Sequence, residues 1–296
     1  MKAPRFVEGG RIGVFAPASA FDPERFKRGV STLEGLGFEV VLHPQLALKT
    51  GFLAGADDAR IDAFLELLAD DSIDALIAAR GGYGVHRLLP RLDPAVVAAA
   101  NKPIVGFSDL SALHAVAQRG GLVSYHGPVV TQLGDLSYDD HAALVDTLAG
   151  RWSRTIRAAH TIVEGVAEGP LIGGCLSVLT PLLGTPYLPP LDGAILVLED
   201  VGEPPYRIDR QLTHLELAGV FDRVAGIAVG EFVNCRSPRE GEQSIDEVLD
   251  ERLGRWACPV VAGLPFGHGT VNLTLPLGAH ARLDAAARTL TVASPT

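Results

Sequence analysis

Over the first 120 residues, short apolar runs alternate with stretches of helical spacing. Residues 11–18 (RIGVFAPA), 38–44 (FEVVLHP), 73–80 (IDALIAAR) and 101–107 (NKPIVGF) read as strands that are apolar on both faces. Residues 23–37, 57–71 and 111–120 place apolar side chains at helical intervals. The second of these opens on Asp57 and Asp58, charges that a helix N-terminus favours. Strand and helix in alternation predict a parallel sheet covered on both faces, a Rossmann- or flavodoxin-like α/β domain over residues 1–134.

The pattern changes after Gly134. Residues 135–168 are polar and mixed, with one helix predicted from His141, and read as the connection between two domains. Residues 170–191 carry no charge but are broken by Pro and Gly, so they predict a glycine-rich turn, a short helix and a loop rather than a membrane span. From 194 onward, strands at 194–200 and 225–232 alternate with helices at 208–219 and 244–254. The chain then runs into alternating segments at 272–278, 279–285 and 289–294 that read as hairpins. Residues 169–296 therefore predict a mixed β-sheet or small barrel with helices.

Composition narrows the classes of function. The 296 residues are 47% hydrophobic and 20% charged, which excludes disorder for most of the chain. A net charge of −10 argues against nucleic acid or an anionic membrane as partner, since both need a clustered basic face. The three cysteines are widely spaced and form no CxxC pair, so neither a disulfide framework nor a structural zinc is expected. Residues 12–20 only superficially resemble a secretory signal, and a cytoplasmic location is expected.

Three loops beyond predicted strand ends can carry chemistry. Arg80-Gly81-Gly82-Tyr83-Gly84 has glycines that allow a sharp turn and turn N–H groups toward a ligand oxygen. Gly106-Phe107-Ser108-Asp109-Leu110 sets a serine on a strand-to-helix turn, as in a nucleophile elbow, although Ser is also a preferred helix cap. In the C-terminal half, Glu199, Asp200 and Glu203 follow an apolar strand, and His268 sits in a Phe-Gly-His-Gly turn. A serine, a carboxylate and a histidine at strand ends suit a catalytic triad, and spacing does not choose among the three acids.

These segments, RGGYG from Arg80, GFSDLSALH from Gly106, HGPV from His126, GGCLSVLTPLLGTPY from Gly173, LEDVGEPPYRIDRQL from Leu198, GLPFGHG from Gly263 and LPLGAHARLD from Leu275, together resemble the LD-carboxypeptidase family of serine peptidases. They occur in family order over nearly the whole chain. The resemblance implies Ser108 as nucleophile, His268 as base and Glu199 as the acid, with the site between the domains. It further implies an oxyanion hole from the N–H groups of Gly82 and Asp109. Arg80, Tyr83 and Arg207 are candidates for binding the substrate.

The implied activity is removal of terminal D-alanine from a murein tetrapeptide in peptidoglycan recycling, without metal or cofactor, by a homodimer. Cys175 departs from the family pattern, which carries Asn there. Two rival readings stand beside this one. A microcin-C-type immunity peptidase cleaves an aminoacyl-nucleotide and needs an aromatic or apolar shelf, which the charged loop 234–243 does not offer. A non-catalytic small-ligand binder would use RGGYG as an anion nest, with Ser108 only a cap.

Overall fold

The computed structural model describes residues 1–237 and 241–293. The N-terminal half contains β1 (Arg11–Phe15), α1 (Pro23–Gly35), β2 (Glu39–Leu42), α2 (Asp57–Ala69), β3 (Ala75–Ala78), α3 (Pro94–Ala100), β4 (Ile104–Gly106), α4 (Ser111–Arg119) and β5 (Ser124–His126). Two of its helices, α1 and α3, start on side-chain caps. Asp22 accepts the Arg25 N–H ahead of Pro23, and Asp93 does the same for Ala95 ahead of Pro94. Strands β5, β4, β3, β1 and β2 pair in parallel in that order, the doubly wound arrangement predicted from the alternation.

Past α5 (Val130–Leu133) and α6 (Tyr138–Leu148), the chain enters β6 (Arg154–Arg157), β7 (His160–Val163), β8 (Val166–Cys175), α7 (Leu176–Leu179) and β9 (Ile195–Val201). It continues through α8 (Pro205–Leu217), β10 (Gly226–Val233), α9 (Ile245–Leu253), β11 (Val260–Ala262), β12 (Leu275–Leu277), β13 (His280–Asp284) and β14 (Thr289–Val292). Eight of these strands form one open sheet in the order β6-β14-β13-β8-β9-β10-β11-β7. The four strands from β8 to β11 are parallel and the outer pairs antiparallel. It is a mixed sheet, as predicted; the barrel alternative falls away, because β6 and β7 lie at opposite edges of the sheet.

The structure corrects three local readings. The stretch 135–168, expected as a connection, contributes β6 and β7 to the eight-stranded sheet. The glycine-rich start of 170–191 is not a turn but the end of β8, paired with both β13 and β9. A Cβ on Gly173 would lie 2.1 Å from the Val197 carbonyl oxygen, so the glycine serves close strand approach rather than a bend. Finally, β12 does not form a hairpin with β13; it crosses back and pairs antiparallel with β5 at the edge of the first sheet.

The halves share their interior. Residues of α4 such as Ala112 and Val116 and residues of the second sheet such as Ile172 and Leu196 belong to one buried apolar cluster. Among the described residues, no helix is long and apolar enough to cross a membrane.

Candidate active site

The candidate residues sit where the parallel strands end. The glycine loop follows β3, Ser108 follows β4, Glu199 lies near the end of β9, and His268 lies in the turn after β11. Gly81, Gly82, Ser108 and His268 line one cavity of about 520 Å³, which also takes in Arg25, Arg80, Phe107, Cys175, Asp200 and Glu203. Its walls come from the loops and helices that follow the first sheet's strands and from the ends of β8 and β9 in the second sheet.

Ser108 has φ 63°, the left-handed region that a non-glycine residue rarely adopts. Phe107 before it is extended, and the chain then tightens into a short turn at Ser108–Leu110 before α4. No side chain caps either helical start, so the Ser108 hydroxyl is not acting as a cap. The glycine loop presses against it: a Cβ on Gly81 would lie 3.1 Å from Ser108 Oγ. Asp109 is buried, and its Oδ2 accepts the Val85 N–H at 2.8 Å, tying the serine turn to the segment just past the glycine loop. Burial pushes the Asp109 carboxyl up to about 6 against the pull of that N–H and of Arg60.

His268 Nδ1 lies 2.6 Å from Glu199 Oε2. Glu199 is fully buried. Burial alone would raise its carboxyl, yet the neighbouring His126 and His268 outweigh it and hold the group at about 2. Because His126 Nε2 stands 3.6 Å from Oε1, that contact is electrostatic rather than a formed hydrogen bond, and His268 carries the specific bond. An ionised Glu199 fixes Nδ1 of His268 as the donor and leaves Nε2 as the basic nitrogen. Gly267 makes the approach possible, since a Cβ there would lie 2.5 Å from Glu199 Oε2. Asn272 Oδ1 accepts the Gly267 N–H at 2.9 Å and so holds the turn in place.

The acids that spacing left open separate by environment. Asp200 is buried and accepts N–H groups of Ser177 and Val201, both at 2.8 Å; burial lifts its carboxyl to about 6. Glu203 pairs with Arg207. Of the three, only Glu199 is bonded to His268.

Among the other candidates, Arg80 lines the cavity and bonds the Ala20 carbonyl at 2.5 Å. Tyr83 packs its exposed ring on Phe52, with centroids 5.7 Å apart, and does not line the cavity. Arg207 is likewise outside it, held by Tyr206 and Glu203. Sequence reasoning missed Arg25, which helix α1 brings to the cavity from far along the chain, and His126 beside Glu199. The HGPV motif signalled the position of His126 but not its contact. Residues 238–240 of the charged loop weighed against a nucleotide lie outside the described residues.

Two α/β units closing on a cavity, with a strained serine on one wall and a histidine–carboxylate pair on the other, define a hydrolase of the serine type. Residues 12–127 match the LD-carboxypeptidase N-terminal domain model, and residues 168–283 match the LD-carboxypeptidase C-terminal domain model. The chain is 35% identical to the probable murein peptide carboxypeptidase of Bacillus subtilis (strain 168), over 96% of this chain and 92% of that protein. It superposes on muramoyltetrapeptide carboxypeptidase from Oxalobacter formigenes with a TM-score of 0.85 and 29% identity, over 97% of this chain and 100% of the other. Microcin C7 self-immunity protein MccF, in complex with aspartyl sulfamoyl adenosine, superposes with a TM-score of 0.89 and 26% identity, over 99% and 98% of the two chains. The chain belongs to the LD-carboxypeptidase family and is a serine-type LD-carboxypeptidase.

Proposed function

We propose that the protein releases terminal D-alanine from murein tetrapeptide, in peptidoglycan recycling, through a Ser108-His268-Glu199 triad. The observation that carries this reading is Ser108, held at φ 63° in the same cavity as a His268 whose Nδ1 lies 2.6 Å from buried Glu199. His268 Nε2 takes the Ser108 proton as Oγ attacks the scissile carbonyl. Glu199 stabilises the imidazolium that forms and keeps its orientation. The N–H of Asp109, next in the chain to Ser108, and that of Gly82, in the glycine loop lining the same cavity, receive the developing oxyanion. His268 then gives the proton to the leaving amine of D-alanine and activates the water that hydrolyses the acyl-enzyme.

The cavity's charges support a peptide that carries both signs. Arg25 and Arg80 suit substrate carboxylates, and Asp200 and Glu203 suit an ammonium such as that of a diamino acid. Apart from His268, Phe107 is the one ring among the described lining residues, a poor shelf for a nucleobase.

The two substrate classes are separated by incubating the protein with purified murein tetrapeptide and, in parallel, with an aspartyl sulfamoyl adenosine. Mass spectrometry then reads the products. Tripeptide plus D-alanine from the first and no cleavage of the second is the expected result. Cleavage of the second alone assigns the toxin-cleaving reading instead.

A further inference from the structure

Beside the histidine–carboxylate pair lies a second histidine with no partner of its own. His126 ends β5 and is fully buried, and neither ring nitrogen has a hydrogen-bond partner. Its Nε2 is 3.6 Å from Glu199 Oε1, the carboxylate oxygen that His268 leaves unused and that also lacks a hydrogen-bond partner. Two buried polar atoms thus face each other just beyond bonding distance, where each is costly to leave unmade. The rest of the ring's surroundings cannot satisfy it. Phe107 and Phe266 pack edge-on with ring centroids 5.8 Å away. His114 stands 6.4 Å away, centroid to centroid, and already uses both nitrogens, on Ser124 Oγ and on the Gly106 carbonyl. The titratable groups around His126 and Glu199 are His268 and, coupled to Glu199 by charge, the buried Cys175 and Asp200, with His114 on the other side of His126.

We infer that His126 is a positioning residue for Glu199: its Nε2–H donates to Oε1, so that Oε2 stays aimed at His268 Nδ1 as charge develops on the imidazole. The inference rests on the triad reading. A carboxylate held at one oxygen only can rotate about its last bond; held at both, it keeps a single orientation. Closing the gap to an ordinary bond length of about 3.0 Å needs a shift of roughly 0.6 Å, within side-chain motion. The resulting order is His126, Glu199, His268 and Ser108, from the interior to the cavity.

The test compares His126→Phe, which fills the space without a donor, with His126→Gln, whose amide reaches the position of Nε2, and with His126→Asn, whose amide stops short. Ser108→Ala is assayed alongside. On murein tetrapeptide, His126→Phe and His126→Asn are expected to lose about 10- to 100-fold in kcat with KM within twofold of wild type. Their acid limb in the kcat/KM profile moves to higher pH, because a less satisfied Glu199 holds the His268 proton more strongly. His126→Gln recovers most of kcat. The downfield proton resonance of the His268–Glu199 bond gives a readout that needs no substrate, and it shifts in His126→Phe and His126→Asn but not in His126→Gln. An unchanged kcat and resonance in His126→Phe, or equal losses in the Gln and Asn variants, overturn the inference. Should the Phe variant not fold, the Gln–Asn contrast decides alone. Activity that survives Ser108→Ala overturns the triad reading and this inference with it, whereas a dead Ser108→Ala beside a normal His126→Phe overturns the inference only.

Discussion

Replacing Ser108 by Gly and by Ala separates backbone strain from chemistry. At φ 63° an L-residue carries a cost of roughly 1–2 kcal/mol that glycine escapes. Glycine in turn loses more freedom on folding, about 0.5–1 kcal/mol relative to alanine. The central values leave Ser108→Gly more stable than Ser108→Ala by about 0.75 kcal/mol. A protein of this size has a urea m-value near or above the upper small-protein figure of ~3 kcal/mol/M, so the midpoints differ by roughly 0.2–0.3 M. Ser31, exposed in α1, is the control: in a helix interior the order reverses, and Ala exceeds Gly by about 1 kcal/mol. Urea unfolding followed by circular dichroism, with both pairs measured side by side, reads the two signs. Both Ser108 variants lack the hydroxyl, and neither is expected to turn over substrate. An Ala variant at 108 as stable as the Gly variant would refute the claim that this turn is strained.

Other positions give further outcomes. Gly267→Ala sets a Cβ 2.5 Å from Glu199 Oε2, at φ +104°, and should cost about 2 kcal/mol and at least about tenfold in kcat/KM, read by unfolding and initial rates. The Asp109 carboxyl, raised by burial to about 6 from an ordinary value of 3.8, contributes stability that is whole below pH 4 and lost as pH rises through 6. Asp109→Asn cannot ionise and removes up to about 3 kcal/mol of that fall, so urea midpoints at pH 4.5 and 7.5 should lie closer together than in wild type. Equal pH slopes would contradict the assigned cause. Arg80→Ala should raise KM about 10- to 100-fold with little change in kcat for peptides ending in a free carboxylate, and far less for the amidated peptide.

What the sequence made legible was local. Both doubly wound signals, continuous apolar strands and helically spaced apolar residues, depend on neighbours in the chain, and β1 to β4 follow them. Pairings set by distant segments were not legible. The alternation of Leu275–Leu277 looks the same whether the strand joins β13 or, as found, β5. Glycines in β8 read as a turn because the Val197 carbonyl that excludes a side chain at Gly173 lies in another strand. Likewise the bond to His268 separates Glu199 from Asp200, which is equally buried, and from Glu203, and that contact exists only in the folded chain. Arg25 carries no motif; it reaches the cavity only because α1 packs beside α5.

The account turns on Ser108 as nucleophile. Its most direct measurement is the initial rate of D-alanine release from murein tetrapeptide by wild-type protein and by Ser108→Ala at equal concentration, with urea unfolding confirming that both are folded. Removal of a triad serine costs on the order of a millionfold in turnover, so the account predicts release by wild type and none above background from the variant. Release by folded Ser108→Ala within tenfold of the wild-type rate would contradict it.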